Sequence, residues 1–382
     1  MTVILHVVEA FGGGVFASVT QACNGLAMLG YEVHLAYSSR PETPQPVSAY
    51  LDPRVTLHPV PMTRNIAPLC DLRALLHLTN LFRKLRPDVI HLHSSKAGFL
   101  GRVAAWFVGY EDKVFYSPRG LSFLQQNESG LQRELYRLLE QLGLRFGGTV
   151  VTCSRSEFEE VGAHLRSGRI ALVENAVDTA IVVPKSTEGG PRCRVGTAGR
   201  IAPQKNPEMF LRVIADIAEP NAEFIWIGGG DSSSTMALQQ AGVEVTGWLT
   251  RERALSELAT LDVYVQTSLW EGMPIVVIEA MVAGIPAVVT DVVGNRDVVD
   301  HGQTGFIARD QEEMGQYLRQ LVMDPSLRRT MGQEARRRAL RRFGLERMLA
   351  ELVALYRVSP SLAGGTAGPE NSGTPISDTL AP

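Results

Sequence analysis

The stretch that most restricts how this chain can fold is LWEGMPIVVIEAMVAGIPAVVT, Leu269 to Thr290. It reads as a loop that enters a helix and leaves as a strand. Pro274 suits the first helical turn, where its missing N–H would have no partner anyway; Gly284 stands where the helix should stop, and Ala287 to Asp291 follows as the strand. Val276, Val277, Ile278, Ala280 and Met281 leave almost no polar face, so burial of this helix is expected. Glu279 nevertheless sits in its middle. A buried carboxylate without donors carries a large desolvation cost or takes up a proton, so an internal Arg or a ligand must supply them.

Glu271, eight residues upstream, stands at the mouth of the same helix. There the free amides of Gly272, Met273 and Ile275 point outward with the positive end of the helix dipole, a site for phosphate or sugar oxygens. Two carboxylates that accept from hydroxyls, beside amides that donate to oxyanions, suit a nucleotide sugar. On these residues the chain resembles a known family. EGMPIVVIE is similar to the Glu-x7-Glu signature of retaining GT-B glycosyltransferases of the family 4 type, the glycosyl transferases of group 1. The AM, the Gly-x-Pro, the strand and the Gly-Asn and TGF loops that follow add to the likeness. The resemblance spans about residues 1 to 356 and is strongest between Gly196 and Phe306. It implies an α/β, GT-B fold: two Rossmann-like domains facing a central cleft, nucleotide sugar on the second and acceptor mainly on the first.

Length and composition agree with two domains. The 382 residues exceed what one small core needs, and 45% hydrophobic and 20% charged residues with a net charge of −3 describe an ordinary globular protein without the basic field that nucleic acid requires. Cys23, Cys70, Cys153 and Cys193 show no Cys-x-x-Cys spacing and read as reduced core thiols of a cytosolic protein. Met1 to Phe11 is an apolar strand without a basic leader, and no apolar run reaches membrane-spanning length. A cytoplasmic location is expected, with peripheral contact at the inner membrane left open, and the sequon at Asn127 then carries no meaning.

TVILHVVEAF, the loop Gly12 to Gly14 and a helix patterned on Val15, Val19, Cys23 and Leu26 form a Rossmann-like opening. The complete Gly-x-Gly-x-x-Gly and spaced acid of a dinucleotide site are missing. The loop is a plain tight turn or, as the resemblance implies, brings Gly13 and Gly14 to the donor. Leu69 to Arg86 reads as an amphipathic helix, with Leu72, Leu75, Leu76, Phe82 and Leu85 on one side and Arg73, Arg83, Lys84 and Arg86 on the other. It covers a sheet or lies on an anionic membrane. In the strand DVIHLH, His91 and His93 share a side, but no third ligand follows at a useful spacing, so no metal is expected. Loops at the carboxyl ends of parallel strands meet ligands, which makes Ser94, Ser95 and Lys96 candidates for acceptor contact.

The strand Lys113 to Ser117 exits through Pro118, Arg119 and Gly120. The resembled family usually carries His where Arg119 stands. A guanidinium does not exchange a proton as imidazole does but holds anions well, so Arg119 is expected either on an anionic acceptor or turned outward to a carboxylate such as Glu128. A helix from Leu131, the strand Thr149 to Ser154, SEFEEV and VENAVD resemble the end of the family's first domain.

The expected division is residues 1–180 for the acceptor domain, 181–192 for a linker containing PKSTEGGP, 193–340 for the nucleotide-sugar domain, 341–358 for a helix crossing back, and 359–382 for a disordered tail. In the second domain Arg200 and Lys205 flank the entrance of a helix from Glu208, an anion site by charge and by dipole. The resemblance assigns it to the donor diphosphate. Gly229, in GGGD, lets backbone approach a ligand. In GWLTR the resemblance implies that Trp248 and Leu249 lie against the nucleobase, and for Trp248 the alternative is core packing. Leu327 to Tyr356 reads as one strongly helical, Arg-rich stretch.

With the resemblance, these residues imply an enzyme that moves a sugar, with UDP-sugar the leading donor, to a glycan or polyprenyl-diphosphate-linked acceptor with retention, in exopolysaccharide or lipopolysaccharide biosynthesis. Glu271 would hold sugar hydroxyls, Glu279 the ribose diol, and Arg200, Lys205 and the helix amides the leaving diphosphate. No Asp-x-Asp motif occurs, so neither metal nor other cofactor is expected. Two alternatives share the fold: a nucleotide-sugar epimerase, which needs no acceptor loops, and a non-catalytic sugar-binding protein in which Arg119 has replaced an essential group.

Overall fold

The computed structural model describes residues 1–126, 128–166, 168–185, 192–217 and 221–357. The first parallel sheet comprises β1 (Val3–Val8), β2 (Glu32–Tyr37), β3 (Thr56–Pro59), β4 (Val89–His93), β5 (Val114–Ser117), β6 (Thr149–Thr152) and β7 (Ile170–Leu172), in the order β3-β2-β1-β4-β5-β6-β7. The second comprises β8 (Cys193–Ala198), β9 (Ala222–Ile227), β10 (Glu244–Val245), β11 (Val263–Gln266), β12 (Ala287–Thr290) and β13 (Gly305–Ala308), in the order β10-β9-β8-β11-β12-β13. Strand order reverses at β1/β4 and again at β8/β11, the switch points where doubly wound sheets open a crevice for ligands.

Helices α1 (Gly13–Met28), α2 (Pro68–Leu85), α3 (Ser95–Val108), α4 (Gly130–Gly143) and α5 (Arg155–His164) accompany the first sheet. Helices α6 (Pro207–Ile217), α7 (Ser232–Gln240), α8 (Arg251–Leu258), α9 (Ile275–Ala283), α10 (Asn295–Val298), α11 (Gln311–Met323) and α12 (Pro325–Arg342) accompany the second, and α13 (Leu345–Tyr356) follows.

α9 is the apolar helix foreseen between Leu269 and Thr290. Pro274 sits one residue before its first turn, as an extended N-cap, and no side chain caps the helix. Gly284 ends it with a φ of 84°, and a Cβ on Gly332 of α12 would come within 2.1 Å of the Gly284 carbonyl oxygen, an approach that glycine alone allows. Val277, Ile278 and Met281 are fully buried, and each such side chain contributes roughly 1.5–3 kcal/mol.

The stretch Leu327 to Tyr356 is two helices rather than one. Asp324 caps α12, the chain turns at Phe343 and Gly344, and Gly344 pairs with Val177 before α13 begins. That turn directs Met348, Leu349, Leu352 and Tyr356 into the first domain's core beside Ile4, Phe11, Cys23 and Val33. Gly25 makes room, since a Cβ there would lie 2.3 Å from Leu349 Cδ1. The crossing helix therefore ties the domains together by apolar burial.

α2 departs from its two-sided reading. Ala74, Leu78, Leu81 and Phe82 face inward, whereas Leu72 and Leu76 stand in solvent with Leu69. Helical spacing explains it: positions 74, 78, 81 and 82 share one face, and 69, 72 and 76 share the opposite one. Cys70 is half-buried, unlike the buried Cys23, Cys153 and Cys193. Among the described residues no helix is long and apolar enough to cross a membrane. The tail beyond 357 and linker residues 186–191 lie outside the described residues.

Candidate active site

The mouth of α9 is assembled from several strand ends. Lys205, in the loop after β8, places Nζ 2.8 Å from Glu271 Oε1 and 3.4 Å from Gln266 Oε1. Burial pulls its ammonium down, but Glu271, Tyr264 and the hydrogen bond outweigh that and leave it raised, so the cation persists. Gln266 also accepts from the Tyr264 hydroxyl at 3.2 Å and donates to Asn295 Oδ1 at 2.9 Å; Asn295 Nδ2 donates to the Thr290 carbonyl at 2.8 Å. Lys205 is thus held by β11, β12 and the Gly-Asn loop together. Gly294 is required there: at a φ of 83° a Cβ would lie 2.2 Å from the Gly272 carbonyl oxygen.

Glu279 is buried, and Arg251 at the start of α8 supplies the donors it needs. Burial pushes the Glu279 carboxyl up while Arg251 pulls it back. The internal ion pair foreseen for it is present, with a partner that remains partly exposed, its side chain at 27%.

Arg200 reaches across the cleft. Its Nη1 lies 2.7 Å from Glu42 Oε1 on the first domain, and Glu42 rests on Gly12, where a Cβ would sit 2.5 Å from Glu42 Cγ. The two walls enclose a pocket of about 380 Å³ that includes Glu42, Arg64, Arg200, Ala202 and Trp248. Trp248 is 61% exposed, so it is no core residue, and its indole lies against Gly229, 3.1 Å from where a Cβ would stand. Leu249 packs onto the second domain's core. Gly14 faces Ile275 at the mouth of α9, 3.9 Å from a built Cβ, while Gly13 opens into space with a φ of 51°. The first glycine loop therefore meets the second domain's helix across the cleft.

Arg119 turns inward, not toward Glu128. With a left-handed φ of 61°, it donates through Nη1 to Asn175 Oδ1 at 2.5 Å and to Ser18 Oγ at 2.9 Å, and Nε and Nη2 approach His93 Nδ1 at 3.4 and 3.3 Å. Asn175 Nδ2 in turn donates to the Met273 carbonyl at 2.9 Å, and Ser154 Oγ to the Gly272 carbonyl at 2.8 Å. Gly272 must stay bare, since a Cβ would lie 2.7 Å from the Gly120 amide. Arg119 thus braces the loops of the first domain, and Asn175 and Ser154 carry the contact to the second.

The third imidazole that spacing along the chain did not offer comes from a neighbouring strand. His6 on β1 pairs in register with His91 on β4, and His6, His91 and His93 stack. Their ligating atoms lie within 4.8 Å of one another, close enough for a metal ion. The Arg119 guanidinium against His93 opposes a second cation, and no carboxylate belongs to the group. Burial, then the Arg119 charge, lowers His6 to about 3, and burial with neighbouring charge holds His91 and His93 well below the usual range. These are neutral rings: His91 meets the Tyr356 hydroxyl at 2.5 Å and Ser117 Oγ at 2.9 Å, and His6 meets His93 at 2.9 Å.

Of the remaining candidates, Ser94 Oγ accepts from the Ala10 amide at 3.4 Å and Ser95 Oγ meets Ser122 Oγ at 2.9 Å. Lys96 Nζ holds Asp71 Oδ1 at 2.7 Å and the Asn65 carbonyl. All three anchor neighbouring loops, and the Lys96 charge is already paired.

Residues 13–176 match the family model described as glycosyl transferase 4-like domain, and residues 192–324 that of glycosyl transferases group 1. The chain belongs to the group 1 glycosyltransferases. It is 27% identical over 338 residues to a UDP-Gal:α-D-GlcNAc-diphosphoundecaprenol α-1,3-galactosyltransferase of Escherichia coli, covering 81% of this chain and 86% of that one. It is 24% identical to the capsular polysaccharide biosynthesis glycosyltransferase CapM of Staphylococcus aureus, over 78% of this chain and 84% of the relative. Sucrose-phosphate synthase from Thermosynechococcus elongatus shares its fold with a TM-score of 0.81 at 19% identity, over 94% of this chain and 98% of the neighbour. Anabaena HepE in complex with UDP and glucose does so with a TM-score of 0.77 at 16% identity, over 94% and 100%. The GT-B fold of this glycosyltransferase, two parallel α/β domains, is established by these likenesses.

Sequence reasoning passed over Glu42, Arg64, Arg251, Asn175 and His6. Asn175 and Arg251 stand inside VENAVD and GWLTR, so a motif marked each without revealing its contact. Glu42 and Arg64 lie in loops with no periodic pattern, and only the facing of the domains brings them to Arg200.

Proposed function

We propose that this glycosyltransferase takes a sugar from a UDP-sugar and transfers it, with retention and without a metal, to a lipid-linked glycan of bacterial polysaccharide biosynthesis. The Lys205–Glu271 pair at the uncapped mouth of α9 is the observation that carries the reading. In the reaction the bond from the anomeric carbon to the diphosphate oxygen breaks, and negative charge grows on the departing UDP. Lys205, Arg200 and the amides of Gly272, Met273 and Ile275 stabilise that charge in place of a metal. Glu271 holds sugar hydroxyls. The acceptor hydroxyl attacks from the face that UDP leaves and gives its proton to the departing phosphate. Glu279, beside Arg251, accepts from the ribose diol, and exposed Trp248 lies on the base.

The UDP-galactose and diphosphoundecaprenol in the name of the Escherichia coli relative support the choice of donor and acceptor. Calorimetry with UDP, GDP and ADP in EDTA tests the donor: UDP should bind at least tenfold tighter than the others, a difference of about 1.4 kcal/mol. NMR of the product linkage then tests retention. Preference for another base, loss of turnover in EDTA, or an inverted product would each overturn the corresponding part.

A further inference from the structure

Arg64 stands exposed on the first-domain wall of the cleft pocket that Arg200 lines from the second. Among the described residues it makes no hydrogen bond or ion pair, whereas Arg40 is held by Glu9 and Arg200 by Glu42. The chain that leaves Arg64 is apolar on its outer side. Ile66 is 67% exposed, and Leu69, Leu72 and Leu76 on the outer face of α2 are 78%, 52% and 56% exposed. Spaced i, i+3 and i+7, the three leucines form one exposed stripe along α2. Lys96 pins the same segment through Asp71 and the Asn65 carbonyl, and Asp71 also accepts from the Ala67 amide at 3.0 Å. An unpaired guanidinium in a cleft, continuous with an exposed oily stripe on a fixed segment, matches a ligand with one anionic end and one hydrocarbon end.

We infer that Arg64, Ile66, Leu69, Leu72 and Leu76 form the lipid subsite of the acceptor, with the diphosphate of a polyisoprenyl diphosphate on Arg64 and its first isoprene units along the stripe. The inference rests on the reading that the acceptor is lipid-linked. If, as in the acceptor named for the Escherichia coli relative, one sugar joins the diphosphate to the attacking hydroxyl, the acceptor's anion lies about one sugar from the donor's. Arg64 and Arg200 on opposite walls of one pocket meet that requirement, Arg200 serving the donor and Arg64 the acceptor. A bilayer surface alone would use the leucines but has no need of a cation inside the cleft.

Farnesyl diphosphate is the probe, and quenching of tryptophan fluorescence, with Trp248 in the pocket wall, is the readout. Wild-type protein should bind farnesyl diphosphate at least tenfold tighter than inorganic diphosphate or farnesol. Arg64→Gln, and separately the triple variant Leu69→Gln, Leu72→Gln, Leu76→Gln, should each weaken it about tenfold or more while UDP affinity stays within about twofold. Leu135→Gln with Leu138→Gln, on the exposed leucine face of α4, should change nothing. All substituted side chains are exposed, so folding should survive. Equal binding of inorganic diphosphate would overturn the apolar half of the subsite. Equal loss of UDP and farnesyl diphosphate in Arg64→Gln would move Arg64 to the donor. Binding to anionic vesicles free of diphosphate lipid that depends on the leucines but not on Arg64 would make the stripe a bilayer surface. Transfer to a water-soluble glycan as fast as to a diphosphate lipid would overturn the lipid-linked acceptor itself, a failure told apart from farnesyl diphosphate binding that ignores Arg64 and the leucines, which overturns the subsite alone.

Discussion

Glu42→Gln should strengthen nucleotide binding, although it removes a charge from the cleft. Arg200 Nη1 and Glu42 Oε1 are 2.7 Å apart, with side chains 32% and 16% exposed. A diphosphate that recruits Arg200 must first replace Glu42. Exposed ion pairs contribute about 0.2–1 kcal/mol, and this half-buried pair belongs near the upper end, about 1 kcal/mol. Repulsion between Glu42 and a doubly charged diphosphate about 8 Å away adds roughly 1 kcal/mol at an effective dielectric near 80, that of an open, watered cleft. Together these predict UDP binding about tenfold to thirtyfold tighter in Glu42→Gln. Gln keeps the shape that rests on Gly12, and Glu9 remains to hold Arg40, so the loop should not move. Calorimetry with UDP on wild type, Glu42→Gln, Arg200→Ala and the double variant completes the test. Arg200→Ala should weaken binding, and by more in the Glu42→Gln background, where Arg200 has no competing partner to give up. If Glu42→Gln binds UDP no better than wild type, the pair does not compete with the donor and Arg200 is not its ligand.

Trp248→Ala should lower UDP affinity by about 1–3 kcal/mol through lost stacking while leaving urea stability within ~0.5 kcal/mol, because the indole is exposed; a large stability loss would return it to the core. Arg119→Ala strips donors from Asn175 Oδ1, Ser18 Oγ and His93 Nδ1, and should destabilise by about 2–4 kcal/mol in urea unfolding, with Arg119→Lys recovering only part. An unchanged midpoint would mean that the brace is not structural. His6 is held at about 3 from an ordinary 6.5, so the native ring stays neutral while the unfolded one takes a proton below pH 6.5. Its contribution is therefore complete above pH 6.5 and is lost as pH falls toward 3, with about 2 kcal/mol of it gone at pH 5. His91 and His93 act in the same direction, whereas Glu279, raised from 4.5, acts oppositely: above 4.5 and below its raised value, native protein binds more protons and stability falls as pH rises. Urea titrations at pH 7 and pH 5 on wild type and His6→Phe check this, and an equal pH 7 to pH 5 drop in the two proteins would show that His6 is not held neutral.

What this sequence determined by itself is what acts within a turn or two of chain. The apolar run of α9, Pro274 before it and Gly284 after it state a buried helix, and Glu279 inside that run states that a donor must come from somewhere. The Arg200 and Lys205 cluster at a helix entrance is likewise local, as is the alternation of strands and helices that implies two doubly wound domains. Which donor answers Glu279 was not local: Arg251 stands on another helix, and only the packing of α8 on α9 brings it there. His6 and His91 are 85 positions apart in the chain and become partners because β1 and β4 are neighbours at the switch point of the sheet. Arg119 faces inward because Asn175 and Ser18 converge on it from two other elements, and Glu42 meets Arg200 only because the domains face each other. The outward leucines of α2 show the same limit. Periodicity states that a helix has two faces, but which apolar face is buried depends on what the sheet and α3 cover, and that is decided by tertiary packing alone.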